Sequence, residues 1–240
     1  MPNDSSPATA LVTGAGRGLG RALVDALLAR GAVRVYATAR RPADRSRLAA
    51  AGAIPLSLDL TRPAEIRAAA AAAGAVDLLV NNAGAAAFAP LLSAPRADIE
   101  REIATNVLGT LDLTRALLPA MPAGAIVVNV LSLLSLAATP AMAGYSASKA
   151  AAHSMTQALR PALAERDIRV VGVYPGAIDT DMLAGVEMVK ADPRDVAEAI
   201  LDGVAAGQED VFPDPMAVEM SGIWRTDPKA FERAFAALAP

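Results

Sequence analysis

Apolar residues along the chain fall into two alternating kinds of run. Short aliphatic and β-branched stretches occur at Ala8–Val12, Val33–Thr38, Ile54–Leu58, Leu78–Val80, Ala125–Val130 and Val170–Tyr174, with a weaker one at Asp210–Phe212. Most are apolar at nearly every position instead of every second one, which is the pattern of strands covered on both faces. Between them, Ala/Leu-rich runs of helical spacing lie at Leu19–Ala29, Ala64–Ala73, Ala97–Leu118, Tyr145–Ala164 and Pro193–Ala206. This regular alternation builds βαβ units. It predicts an α/β fold, a doubly wound and mostly parallel sheet with helices on both faces. The run Ala68–Ala73 is high-propensity helix ended by Gly74, and Pro161 is expected to kink the fifth helix or end it near Leu159. No Pro/Ser/Gly-rich linker interrupts the pattern, so one domain is expected over residues 1–240, with a disordered polar tail at 1–7.

Composition narrows the partners more than the fold. The 240 residues are 54% hydrophobic and 20% charged, as in an ordered globular protein. A net charge of −3 gives no broad field for nucleic acid or anionic lipid, so small molecules or copies of the same chain are the expected partners. The absence of cysteine excludes disulfides, thiolate catalysis and Cys-based metal sites, and fits a reducing compartment. The start, MPNDSSPA, lacks a signal-peptide pattern, and the longest apolar stretch, Ala125 to Ala138, is too short and too interrupted to span a bilayer. A cytoplasmic protein is expected.

The segment TGAGRGLG, Thr13 to Gly20, sits between the first strand and the first helix. A helix N-terminus offers unpaired N–H groups, and residues without a Cβ let a pyrophosphate approach the backbone. The spacing is G-x-x-x-G-x-G through Gly14, Gly18 and Gly20, with Leu19 where the common dinucleotide fingerprint has its third glycine. By itself such a turn also serves plain chain reversal. At the end of the second strand, VYATARR carries Arg40 where a carboxylate would accept hydrogen bonds from the ribose of NAD. Arg40 and Arg17 together form a cationic clamp for a 2′-phosphate, each contact contributing roughly 1.5–3 kcal/mol. NADP(H) is therefore expected over NAD(H).

A second cluster is GYSASKAAAH, with Tyr145 and Lys149 four residues apart on one helical face. A cation beside a phenol favours the phenolate, so Lys149 is expected to lower the Tyr145 pKa and make the pair an acid/base. Ser132, thirteen residues earlier at the end of the fifth strand, can bond a substrate carbonyl oxygen.

With these residues in place, the chain resembles the short-chain dehydrogenase/reductase family of about 250 residues. The resemblance runs from Thr9 to about Pro213. It rests on TGAGRGLG, LDLT (58–61), NNAG (81–84), TNVLGT (105–110), Ser132, YSASK (145–149) and PGAIDTDM (175–182). It implies a seven-stranded Rossmann-type sheet. It also implies that Tyr145 exchanges the proton of the carbonyl or alcohol, Lys149 holds the nicotinamide ribose, Ser132 orients the substrate oxygen and Asn106 holds a proton-relaying water. For the cofactor it implies Asp59 and Leu60 at the adenine, Asn82, Ala83 and Gly84 alongside, and Pro175, Gly176, Ile178 and Thr180 at the nicotinamide. The resemblance also implies a short substrate lid at residues 181–192. Leu131 stands where the family often has a first serine.

His153, the only histidine, is about 80° off the Tyr145 face and is assigned a structural role; no metal site is expected. Met142, Met182, Met188, Ala85–Phe88, Leu133 and Leu134 imply apolar pocket walls and an uncharged substrate. Trp224 is expected in the core or a subunit contact. The resemblance implies an NADP(H)-dependent carbonyl reductase or alcohol dehydrogenase. The alternatives are a catalytically silent NADP-binding regulator or redox sensor, and an epimerase or dehydratase, for which too few residues follow Thr180. The resemblance also implies a homodimer or homotetramer through the Ala97–Leu118 and Tyr145–Ala164 helices. Light scattering at micromolar concentration is expected to give at least twice the mass of one chain; a single-chain mass would remove that expectation.

Overall fold

The structure, a computed structural model, describes residues 7–238. Apart from Pro7, the expected tail at 1–7 lies outside the described residues. All seven expected strands are present: β1 (Thr9–Val12), β2 (Arg34–Thr38), β3 (Ile54–Leu56), β4 (Leu78–Asn81), β5 (Ile126–Val130), β6 (Arg169–Val173) and β7 (Asp210–Val211). They form one sheet in the order β3-β2-β1-β4-β5-β6-β7, and every pairing is parallel. The helices are α1 (Gly18–Ala29), α2 (Pro42–Ala50), α3 (Pro63–Ala73), α4 (Arg96–Ile103), α5 (Thr110–Leu117), α6 (Ala143–Ala164), α7 (Pro193–Ala205), α8 (Pro215–Thr226) and α9 (Pro228–Ala236).

Continuous apolarity in the strands has its reason in the two layers. Ala10 and Val12 of β1 join Val35, Val80, Val128 and Val173 beneath α1 and α7, while Leu11 joins Tyr36, Leu79 and Val127 beneath α3 and α5. Register keeps these sets aligned, since Leu11 stands beside Tyr36 on one side and Leu79 on the other. Each such leucine removed from water contributes roughly 1.5–3 kcal/mol.

The structure departs from the sequence expectation at four places. The helix expected over Ala97–Leu118 is α4 and α5 joined by a π-helical segment, Ala104–Gly109. There the chain passes so close to the Leu60 carbonyl that a Cβ on Gly109 would overlap it. Helix α2 gives little apolar signal because only Asp44 and Leu48 are buried. Helices α8 and α9 lie beyond the recognised motifs. Each starts at an Asp-Pro pair, Asp214 accepting from Ala217 N (2.9 Å) and Asp227 from Ala230 N (2.8 Å), with proline at the first helical position. Of the two outcomes expected at Pro161, a kink or an end near Leu159, the end is overturned, since α6 runs on to Ala164. Pro161 and Gln157, whose carbonyl loses its donor, are both exposed, and buried Leu163 anchors the last turn.

A tolerated proline still costs helix energy. Pro161→Ala is expected to stabilise the protein by about 2–2.5 kcal/mol, roughly 3 kcal/mol of helix penalty less about 0.4–1 kcal/mol of entropy that proline removes from the unfolded chain. Urea unfolding checks this; unchanged or reduced stability would contradict it.

Candidate active site

Strand order reverses between β1 and β4: the chain runs outward from β1 through β2 to β3, then returns to β4 on the other side. At such a switch point the loops leaving the two strands part and open a crevice beyond their carboxyl ends. A cavity of about 1380 Å³ occupies this position. Of the residues singled out from the sequence for catalysis or cofactor binding, all but Asn106 line it.

Its floor is sewn together by Thr13. The hydroxyl donates to Val80 O (3.3 Å) and accepts from Asn82 N and Ala83 N (both 2.9 Å), while Asn82 Nδ2 donates to Thr13 O (2.9 Å). Gly14 (φ +65°) lies so close to this floor that a Cβ would be 2.8 Å from Ala83 Cα; at Gly18 (φ +54°) it would be 3.0 Å from Thr180. Both positions need glycine for conformation and for space. Helix α1 then begins with no side-chain cap and no acidic residue in its first turn, leaving its N–H groups for an anion. This cradle fits a dinucleotide pyrophosphate.

The cationic residues beside it are divided. Arg17 Nη1 is 2.6 Å from Asp181 Oδ2, an exposed pair that bridges the glycine loop to the expected lid. Arg40 is exposed, lines the cavity and forms no ion pair among the described residues. The sequence reading missed Asp44, whose carboxylate is buried beneath the loop, 2.9 Å from where a Cβ on Gly16 would stand. Arg41 (2.7 Å) and Arg47 both bind it, and the Arg41 hydrogen bond leads in holding it below the usual carboxylate range. Asp59 holds its own turn by accepting from Thr61 N (2.9 Å) and Oγ1 (2.7 Å).

Tyr145 lies in the first turn of α6 and Lys149 one turn later, and with Ser132 after β5 all three are buried. Lys149 Nζ donates to Val130 O (2.7 Å) and sits 5.6 Å from the centre of the Tyr145 ring. Burial pushes Lys149 down to about 8. The expectation that Lys149 lowers the Tyr145 pKa needs correction. Burial raises the phenol above its ordinary value, a hydrogen bond with Ser132 pulls the other way, and the Glu102 carboxylate adds to the rise. Desolvation disfavours the charged form of each group and is the leading cause of both shifts. Ser132 also caps the short turn Leu133–Ser135 by accepting from Leu134 N (3.1 Å).

Asn106 stands one layer behind the cavity on the π-helical segment. Its amide accepts from Ala85 N (2.8 Å) and donates to Ala85 O (2.9 Å) and Ser148 Oγ (2.8 Å), which fixes the wall loop. On the opposite side, buried Asp214 accepts from Gly176 N (2.8 Å), tying the Pro175–Thr180 loop to α8. Asp214 was legible only as a helix cap. The segment at 181–192 is closed at its ends by a bridge between Ile178 and Ala191 and inside by Lys190 Nζ on Leu183 O (2.8 Å). Met216, Phe235 and Leu238 complete the wall from the C-terminal helices, and Trp224 packs behind them. His153 lies outside the cavity, its Nδ1 2.8 Å from Tyr174 Oη. Among the described residues there is no metal-binding cluster and no helix long and apolar enough to cross a membrane.

Comparison with known proteins places this geometry in context. A family model described as short chain dehydrogenase matches residues 8–190. A short-chain dehydrogenase from Burkholderia cenocepacia J2315, solved in complex with NADP, superposes with a TM-score of 0.90 at 37% identity, covering 99% of this chain and 100% of that one. A short-chain dehydrogenase/reductase from Burkholderia phymatum, solved in complex with NAD, has the same fold with a TM-score of 0.82 at 24% identity, covering 99% of each chain. Among curated proteins, a sorbitol dehydrogenase from Cereibacter sphaeroides is 36% identical over 193 residues, 77% of this chain and 75% of its own.

The buried lysine predicts a pH signature. Its folded pKa of about 8 lies below the unfolded value near 10.5, so between these values the unfolded chain binds more protons and stability rises with pH. Lys149→Met is expected to unfold at higher denaturant than wild type at pH 7, by on the order of 1–3 kcal/mol, with the gap closing towards pH 10. A pH-independent difference would contradict the assignment.

Proposed function

The chain belongs to the short-chain dehydrogenase/reductase family, and on that premise we propose that it is an NADP(H)-dependent carbonyl reductase acting on uncharged, apolar ketones or aldehydes. The observation that carries this reading is the placing of buried Tyr145, Ser132 and Lys149 in one cavity with the glycine-rich phosphate cradle.

The bound dinucleotide supplies a hydride, and the chain manages the proton. Tyr145, buried and protonated at neutral pH, donates its phenolic proton to the substrate oxygen in the reducing direction. Ser132 donates a hydrogen bond to the same oxygen and holds the carbonyl at Tyr145. Lys149, anchored on Val130 O and still mostly protonated at neutral pH with its pKa lowered to about 8, orients the ribose and returns a proton to Tyr145. Asn106 acts by holding Ala85 in place.

Arg40 supports the preference for a 2′-phosphate because it stands unpaired beside the cavity, and the NADP bound to the B. cenocepacia relative points the same way. Arg17 reaches that phosphate by leaving Asp181, an exposed pair that costs about 0–1 kcal/mol to break. Phe88, Leu133, Leu134, Met142, Met216 and Phe235 support an apolar substrate over a polyol such as sorbitol.

The reading is tested by NADPH and NADH oxidation with apolar ketones, aldehydes and diketones, and by the reverse reaction with sorbitol. Turnover with NADPH, weak turnover with NADH, and loss of at least about a thousandfold in Tyr145→Phe are expected. Arg40→Ala is expected to weaken NADPH about ten- to a hundredfold and leave NADH unchanged. Sorbitol turnover exceeding that of every carbonyl would replace the substrate class, and tight NADPH binding without turnover would favour a regulator.

A further inference from the structure

Glu102, in the last turn of α4, is 1% exposed, and nothing above explains why a carboxylate is buried there. A buried carboxylate is costly, so its contacts identify what it does. One oxygen, Oε1, accepts from Ala87 N at 2.6 Å. The other, Oε2, lies against Gly144, where a Cβ would overlap it, and Gly144 immediately precedes Tyr145 in the first turn of α6.

Ala87 is the midpoint of a wall segment fastened at every second residue. Ala85 is held by Asn106, Ala87 by Glu102, and Ala89 by its bridge to Met142, the residue before α6. The residues between them, Ala86 and Phe88, line the cavity together with Pro90. Among the described residues no backbone carbonyl accepts from Ala87 N, and the Glu102 carboxylate takes that place.

We propose that Glu102 is a positioning residue: it clamps the substrate-wall segment at Ala87 to the N-terminus of the helix that carries Tyr145, fixing the distance between wall and proton donor. The clamp rests on the reading of Tyr145 as the proton donor, while its structural half stands apart from turnover. Its charge has a second consequence. The anion faces Tyr145 and favours the protonated phenol. Burial leads in raising Glu102 itself, the Ala87 N–H pulls it down, and Arg101 and Asp98 of α4 act in opposite senses. Lys149 is the other titratable group of this cluster on α6, and residues 85–90 carry no charge.

The test compares wild type with Glu102→Leu, which loses the acceptor, and Glu102→Gln, whose amide oxygen keeps it without the charge. Hydrogen exchange read by mass spectrometry needs no substrate. In Glu102→Leu, peptides covering 85–90 and 143–146 are expected to exchange at least tenfold faster, with the sheet unchanged; Glu102→Gln is expected to follow wild type. With NADPH and an aromatic α-diketone as probe, Glu102→Leu is expected to raise KM about tenfold or more while the NADPH dissociation constant stays within twofold. In Glu102→Gln the alkaline limb of kcat/KM is expected to move to lower pH, because the anion that favours the protonated phenol is gone. Wild-type exchange at both segments in Glu102→Leu, or a parallel rise in KM and the NADPH dissociation constant, would overturn the clamp. An exchange contrast in a protein that reduces no carbonyl would support the clamp and defeat the proposed activity.

Discussion

The constraint on which the rest depends is the reversal of strand order between β1 and β4. Parallel strands send all their carboxyl ends to one edge, and a sheet wound outward in both directions from a central pair must open there. Every functional residue is delivered to that edge by the strand or helix next to it: the glycine loop by β1, Arg40 by β2, Asn82 by β4, Ser132 by β5 and the Pro175–Thr180 loop by β6. Thr13 holds the opening at a fixed width by bonding Val80, Asn82 and Ala83 across it.

The same depth that positions Tyr145 and Lys149 sets their charge. Each is stripped of water, so each moves towards neutrality, the phenol upwards and the amine down to about 8. Around neutral pH the phenol keeps its proton, ready to give away, while the buried ammonium bears the desolvation cost. The buried carboxylate of Glu102 reinforces that state. Burial is thus a cost to stability that prepares the proton donor.

Much of this was legible because buried parallel strands must be apolar at successive positions, as in Ala10-Leu11-Val12 and Leu78-Leu79-Val80. The motifs survived translation into structure because their residues line one cavity. What stayed hidden was what sequence distance hides. Glu102 reads as a surface charge in a helix until α6, more than forty residues later, covers it. Asp44 reads as one acid among arginines until the glycine loop lies on it. The direction of the Tyr145 shift depends on burial, which the Tyr-Lys spacing does not encode. The π-helical segment at Asn106 has no hydrophobic signature of its own that would set it apart from the helix on either side. Helices α8 and α9 carried signals in their Asp-Pro starts, but without their packing on Leu133 nothing tied them to the site.

The central claim is that burial holds Tyr145 as a protonated donor. With only three tyrosines in the chain, ¹³Cζ-tyrosine labelling and an NMR pH titration read it directly, Tyr145→Phe identifying the resonance. The account predicts that the Tyr145 signal keeps its phenol shift through pH 10. A signal that moves to the phenolate position below pH 8 would contradict it.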